Sequence, residues 1–256
     1  NGGTANGGVD KSLPATVTLD FDASSAMLRH GVLMIVGGEV DDDIDLAFVA
    51  NAAGDADDEV DVTLNGTDGG TFLLSDIARI SIQSLRGDDV ITIDVEIDKP
   101  SQIETGDGND DVSSGDGDDV INTGTGDDIV DAGNGENVVL GGKGADDLTG
   151  GDDPDRILGG KGDDTNLDGG DDDDTVRGGK GDDIMNGGEG DDHLFGNDGD
   201  DDMSGDEDND TMKGGFGADS MEGGDGDDKM IGGPQLRGAD VRQDGIDTIN
   251  GGDGAD

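Results

Sequence analysis

The chain contains no cysteine, no tryptophan and no tyrosine, and only five phenylalanines and four prolines among its 256 residues. Without cysteine there is neither a disulfide framework nor a thiolate metal site. Bases are scarce too: 14 Lys and Arg stand against 66 Asp and Glu, a formal charge of −52. Nucleic acid and anionic membrane surfaces would repel such a chain. Apolar residues make up only 29 %, well below the share in an ordinary globular domain. The longest apolar run, Val32 to Val36, has a strand's length and is far too short to span a bilayer. Low hydrophobicity with this much like charge predicts a chain that cannot offset its ordering entropy alone. Either it is disordered or something cationic completes the fold. The start at Asn1, with no Met and no signal-like segment, reads as a processed or excised piece of something longer.

Glycine is abundant, with 52 residues, and it is unevenly placed. Residues 1–104 hold 21 acids, 5 bases and 12 glycines, whereas residues 105–256 hold 45 acids, 9 bases and 40 glycines. The composition changes near Thr105, which divides the chain into an arm or linker (1–14), an irregular β domain (15–104) and a repeat domain (105–256).

From Thr105 the sequence falls into units of nine, such as SGDGDDVIN, GGKGADDLT, GGKGDDIMN and GGEGDDHLF. One unit, residues 159–168, has an extra residue, and an insertion interrupts the frame from Gly232 to Val241. Glycine at places one, two and four is expected to permit φ > 0, so that six residues form a tight turn. The last three residues would form a short strand whose eighth side chain points inward while the seventh and ninth face solvent. Two units would make one coil, and coils stacked at about 4.8 Å would give roughly seven rungs over about 35 Å. The inward ladder is Val112, Ile121, Val130, Val139, Leu148, Ile157, Val176, Met185, Leu194, Met203, Met212, Met221, Met230 and Ile249, while Leu167 sits one place late in the irregular unit. One aliphatic side chain per nine residues is too little burial to fold the coil.

The missing stabiliser lies at the sixth place. It is occupied by Asp110, Asp119, Asp128, Asn137, Asp146, Asp155, Asp164, Asp174, Asp183, Asp192, Asp201, Asp210, Asp219, Asp228, Asp247 and Asp256. Carboxylates 18 residues apart would lie one rung apart on the same edge, too close to stack as bare anions. A hard divalent cation between rungs resolves this. Ca²⁺ takes six to eight oxygens in flexible geometry, and glycine-rich turns expose carbonyls to it, whereas Mg²⁺ demands a tight octahedron and keeps its waters. Zn²⁺ would want His or Cys, and only His30 and His193 exist. About a dozen Ca²⁺ would offset roughly half of the −52 charge.

The units resemble GGxGxDxUx, the haemolysin-type calcium-binding repeat of RTX proteins, over residues 105–256. The resemblance implies an all-β fold, a right-handed parallel β-solenoid in which irregular β-helix coils lead into a calcium-bound β-roll. It also implies that one turn offers carbonyls at places two and four plus its sixth-place Asp, and the next turn carbonyls at places one and three plus its Asp. Gly142, Gly144 and Asp146 would then pair with Gly159, Lys161 and Asp164; Gly179, Gly181 and Asp183 would pair with Gly196, Asp198 and Asp201. The same role falls on Gly106, Gly108, Gly115, Gly117, Gly124, Gly126, Gly160, Gly162, Gly188, Gly190, Gly215, Gly217, Gly224 and Gly226. Departures from the pattern are Asn137 after Glu136, which should weaken its site, Asp153, Asp172 and Asp208 at the fourth place, and Pro154. The extra residue at 159–168 should bulge one rung.

In residues 1–104, alternation predicts strands at Val17–Phe21, Asp43–Val49, Val60–Leu64, Phe72–Leu74 and Arg79–Leu85, with Val32–Val36 as a buried run. GGEVDDDID (37–45) and SLRGDDVIT (84–92) echo the repeat, with Asp42 and Asp89 sixth and Ile44 and Ile91 eighth. One continuous solenoid is therefore expected, its irregular end packed well enough for the calcium-bound coils to grow from it.

No G-x-S-x-G or H-E-x-x-H motif is present. Almost every Asp-Asp pair, the arrangement a glycosidase would use, is a fifth and sixth or sixth and seventh place of the repeat. His193 falls at an outward place, His30 before a strand, and Phe195 and Phe216 read as exposed aromatics. An ice-binding face would need a regular Thr ladder, whereas Thr165, Thr175, Thr211 and Thr248 are scattered among charges. The sequence thus reads as a non-enzymatic, secreted calcium-binding structural protein of a fibre, adhesin or surface layer, self-associating head-to-tail or laterally at the cell surface. The other reading is a calcium-dependent export or spacer module of a larger secreted RTX enzyme or toxin.

Overall fold

A computed structural model describes residues 25–50, 58–233 and 248–252. Alternate strands go to alternate sheets. Val138–Lys143 lies parallel between Val120–Thr125 and Arg156–Lys161 in one sheet. Asp147–Gly151 lies parallel between Ile129–Asp131 and Asn166–Asp171 in the other. Two nine-residue units therefore close one coil, and the coils stack as a β-solenoid whose described residues form an eleven-stranded sheet (sheet A) and a twelve-stranded sheet (sheet B). Among the described residues there is no α-helix, only a single 3₁₀ turn at Leu74–Asp76.

The eighth-place side chains fill the narrow space between the sheets. Val112 to Met221 in that column are all buried, whereas Met230 is only partly buried and Ile249 is 52 % exposed at the last described rung. The strands are longer than the repeat alone suggests. Most run six residues, from the seventh place of one unit through the third of the next, with the first-place residue pointing inward beside the eighth. Only places four to six are left for the turn.

This changes the reason for the first glycine. Gly142 and Gly144, at places two and four, do take φ of 109° and 133°, which side chains disfavour. Gly141, at place one, has ordinary extended backbone; a Cβ there would overlap Asp146 Oδ2. The first glycine makes room for the buried carboxylate.

Irregular units keep the geometry by local means. Asp172 and Asp208 adopt φ of 69° and 70° in place of glycine. Asp153 does not, because the following Pro154 restricts it. The extra residue is absorbed at Thr165, where its N–H bonds Asp146 O, so that Leu167 still pairs with Leu148 and Met185.

The same two sheets continue into the N-terminal part. Val32–Val36, Arg79–Arg86 and Ser101–Asp107 extend sheet A in parallel; Asp43–Val49 and Val90–Ile93 extend sheet B. Ile44, Ile91 and Val112 share one register, as the two echo stretches predict. Val32–Val36 is not a buried run. Leu33 and Ile35 face inward, whereas Met34 is 44 % exposed, because strand side chains alternate. Leu74 belongs to the 3₁₀ turn rather than the preceding strand, Thr67–Leu73.

Two antiparallel additions finish this end. Ser25–Arg29 folds back on Val32–Val36 through His30 and Gly31. Glu59–Leu64 pairs antiparallel with Asp43–Val49 and with Thr67–Leu73, the latter through Asn65 and Gly66. Asn65 and Gly66 both have positive φ, the conformation that makes Asn-Gly a strong hairpin signal. The expected strand Val17–Phe21, the arm at 1–14 and nearly all of the 232–241 insertion lie outside the described residues.

Candidate metal centre

The sixth-place residues from Asp110 to Asp228 are buried, none more than 5 % exposed. They form two ladders, one on each edge of the coil. On one edge the N–H of Asp110 donates to Asp128 Oδ1, Asp128 to Asp146, Asp146 to Asp164, Asp164 to Asp183, Asp183 to Asp201 and Asp201 to Asp219, at 2.9–3.2 Å. On the other edge the same bond links Asp119, Asn137, Asp155, Asp174, Asp192, Asp210 and Asp228 in turn. Asp247 and Asp256 lie outside the described residues. An exposed fifth-place ladder runs in the opposite sense: Ala145 N–H donates down to Asp127 Oδ1, and Asp200 N–H to Asp182 Oδ1.

Each sixth-place carboxylate uses one oxygen in its ladder. The other, Oδ2, is buried without a hydrogen-bond partner in Asp146, Asp155, Asp164, Asp174, Asp183, Asp192, Asp201, Asp210 and Asp228, whereas the hydroxyls of Ser84, Thr105 and Thr123 lie beside Asp89, Asp110 and Asp128. A buried, unpartnered carboxylate oxygen is strongly unfavourable. Burial accordingly pushes the carboxyl of Asp174 up to about 8 and those of Asp155, Asp183, Asp201 and Asp210 up to about 7.

Backbone carbonyls converge on the same gaps. Gly142 O and Gly144 O occupy the positions where Gly160 and Gly162 would carry a Cβ, so they point up toward the next rung. Gly159 O points down to within 3.0 Å of where Gly141 would carry one. Lys161 O also points down, accepting the Gly144 N–H at 2.9 Å. Carbonyls at places two and four of this turn thus point up, and those at places one and three of the next point down, into the gap between the two rungs. The pattern recurs at Gly181, whose oxygen lies where Gly199 would carry a Cβ, and Gly179 and Gly181 share the positive φ of Gly142 and Gly144. Among the described residues no three His, Cys, Asp or Glu side chains cluster as a metal site. The oxygens gathered here are carbonyls with two carboxylates, a hard donor set that suits Ca²⁺.

The RTX calcium-binding nonapeptide repeat matches in four copies, at residues 104–139, 140–165, 168–203 and 204–235, just over half of the chain. The chain belongs to this RTX repeat family. Neither the curated proteins nor the solved structures yield a match. The RTX repeats make this solenoid a calcium-binding structural β-roll.

Not every RTX turn is equally in need of an ion. Asn137 Nδ2 donates to Gly133 O at 3.2 Å, so this amide satisfies the second-place carbonyl from within its own turn. Asp42 is satisfied as well, by the Gly38 N–H and by Asn65 Nδ2. Ser114 Oγ donates to Asp119 Oδ2. Ser101 takes the sixth place of a unit at 96–104 that has no glycine to mark it; its N–H bonds Asp119 Oδ1 at 2.6 Å and Ile103 fills the eighth place. The period-nine spacing back from Asp119 and Ile121 was the available signal. His193 is exposed, as its outward place requires. Phe195 is half-buried rather than exposed, because the Arg177 guanidinium lies over its ring at 4.9 Å.

Proposed function

We propose that each gap between successive regular turns on one edge holds a Ca²⁺, and that binding there folds the coils of a secreted structural protein. The reading rests on the buried Oδ2 atoms that no protein donor reaches. Asp146 and Asp164, with the carbonyls of Gly142, Gly144, Gly159 and Lys161, would hold one ion; Asp183 and Asp201, with those of Gly179, Gly181, Gly196 and Asp198, would hold another. Ca²⁺ supplies the positive charge that these oxygens lack. The chain's own residues close a cage around the ion as the coil folds and keep water from the carboxylates. Extracellular calcium is millimolar and cytosolic calcium is far lower, which couples folding to export and favours an extracellular, cell-surface role as a fibre, adhesin or surface-layer component.

Calcium titration calorimetry on single-site variants tests the assignment. Asp183→Ala should lower the stoichiometry by one to two ions and lower Tm, since each ion held at 100 times its Kd stabilises the fold by about 2.7 kcal/mol. Asn137→Ala should leave the stoichiometry unchanged. Asn137→Asp, which removes the amide bond to Gly133 O and adds a carboxylate, should raise it by about one. Equal losses at Asp183 and Asn137 would refute the residue assignment.

A further inference from the structure

The net charge conceals a polarity across the rod. Among the described residues, every Lys or Arg within a strand belongs to sheet A, and the strands of sheet B have none. The bases concentrate on three adjacent strands, Val138–Lys143, Arg156–Lys161 and Thr175–Lys180. The outward places there carry five cations and no carboxylate, interleaved with Leu140 and Leu158. Lys143, Lys161 and Lys180 stand in register, one per rung and all exposed. Like charges in register oppose the pairing that aligns them. Lys180 reaches Asp198 at 3.3 Å, whereas Lys143 and Lys161 have no ion pair among the described residues.

Sheet B presents the opposite row. Asp171, Glu189, Glu207 and Asp225 occupy the equivalent third place on four adjacent strands, in register and exposed. Both rows repeat once per rung of the same coil, so their periods are equal. The chain runs one way along sheet A and returns along sheet B, which puts the two rows on opposite long edges of the rod.

We propose that the lysine face of sheet A packs on the carboxylate face of sheet B of a second copy, with neighbouring rods antiparallel so that the two rows meet. The contact is heterologous: each rod keeps a free face of either kind, so the assembly grows into an open filament across the rods rather than closing as a dimer. A polyanion would satisfy the lysines, but it would leave the matching carboxylate row and the flanking leucines unused. The proposal rests on calcium-driven folding, because bound ions must first reduce the repulsion between two strongly acidic chains.

Sedimentation velocity and light scattering in millimolar Ca²⁺ test it, with circular dichroism on the same samples. The wild-type chain should assemble at low salt and dissociate near 1 M salt, where the screening length falls to about 3 Å. Lys143→Glu/Lys161→Glu/Lys180→Glu should weaken assembly about tenfold or more with the β signal unchanged, and so should Glu189→Lys/Glu207→Lys. Mixing the two variants should restore it, since each then offers the face the other lacks. A folded wild type that stays monomeric, or variants that assemble like wild type, would overturn the proposal. So would a monomer retained on immobilised heparin through the same lysines, which would assign the face to a polyanion. A chain that shows no β signal in calcium fails the folding reading first, and this proposal with it.

Discussion

Chelating calcium at neutral pH is expected to abolish ordered structure across the glycine-first coils while leaving the N-terminal coils folded. In the described coils from Gly141 onward, most units contribute one eighth-place side chain to the core and one sixth-place carboxylate with an unsatisfied buried oxygen, as Asp146, Asp164, Asp183 and Asp201 do. Without the ion, that burial opposes folding and there is too little apolar surface to overcome it. The other end is built differently. Leu33, Ile35, Ile44, Leu46, Val60, Val62, Ile80 and Ile82 are all buried together, and the turn at Asp42 is closed by protein donors. Hydrogen exchange in EDTA should therefore retain protection at 32–36, 43–49, 59–64 and 79–86, and lose it over 141–231. The circular dichroism β signal should fall to a minor fraction of its value in calcium and return on readdition. A chain equally β-rich and equally protected in EDTA would contradict calcium-driven folding; uniform loss of protection at both ends would contradict an independently stable N-terminal part.

The regular part of this fold is legible because a nine-residue period assigns each column one environment. Ile157 and Asp155 are inward for the same reason as Val176 and Asp174, so finding the period locates both the core and the ladders. The period does not say why a residue type recurs. Gly141 and Gly142 look alike in sequence, yet the second answers to φ and the first to the Asp146 oxygen beside it. Nor does it expose a unit whose glycines are absent, as around Ser101, where only register with Asp119 identifies the place. The fifth-place ladder was hidden because an exposed Asp such as Asp127 or Asp182 reads as ordinary solvated charge. At the N-terminal end the Asn65-Gly66 turn was a local hairpin signal that the parallel-coil reading passed over.

Acid is expected to substitute in part for calcium. Burial raises the folded-state carboxyls of Asp128, Asp146, Asp164 and Asp192 to about 6, those of Asp183, Asp201 and Asp210 to about 7, and that of Asp174 to about 8. The unfolded chain titrates these groups near 3.9. Between these values the metal-free folded state binds more protons than the unfolded state, so its stability declines as pH rises. The protonated ladders are thus fully favourable below about pH 4, and their contribution is lost as pH climbs through about 6 to 8. In EDTA, the β signal should be strong near pH 4.5 and weak near pH 8 by this linkage. Calcium competes with those protons, so its binding should release them and its affinity should rise with pH over the same window. Calorimetry in buffers of different ionisation enthalpy measures the released protons, and dichroism in EDTA against pH measures the folding. A metal-free chain that gains structure as pH rises from 4.5 to 8 would show that these carboxylates are not buried in the folded coil.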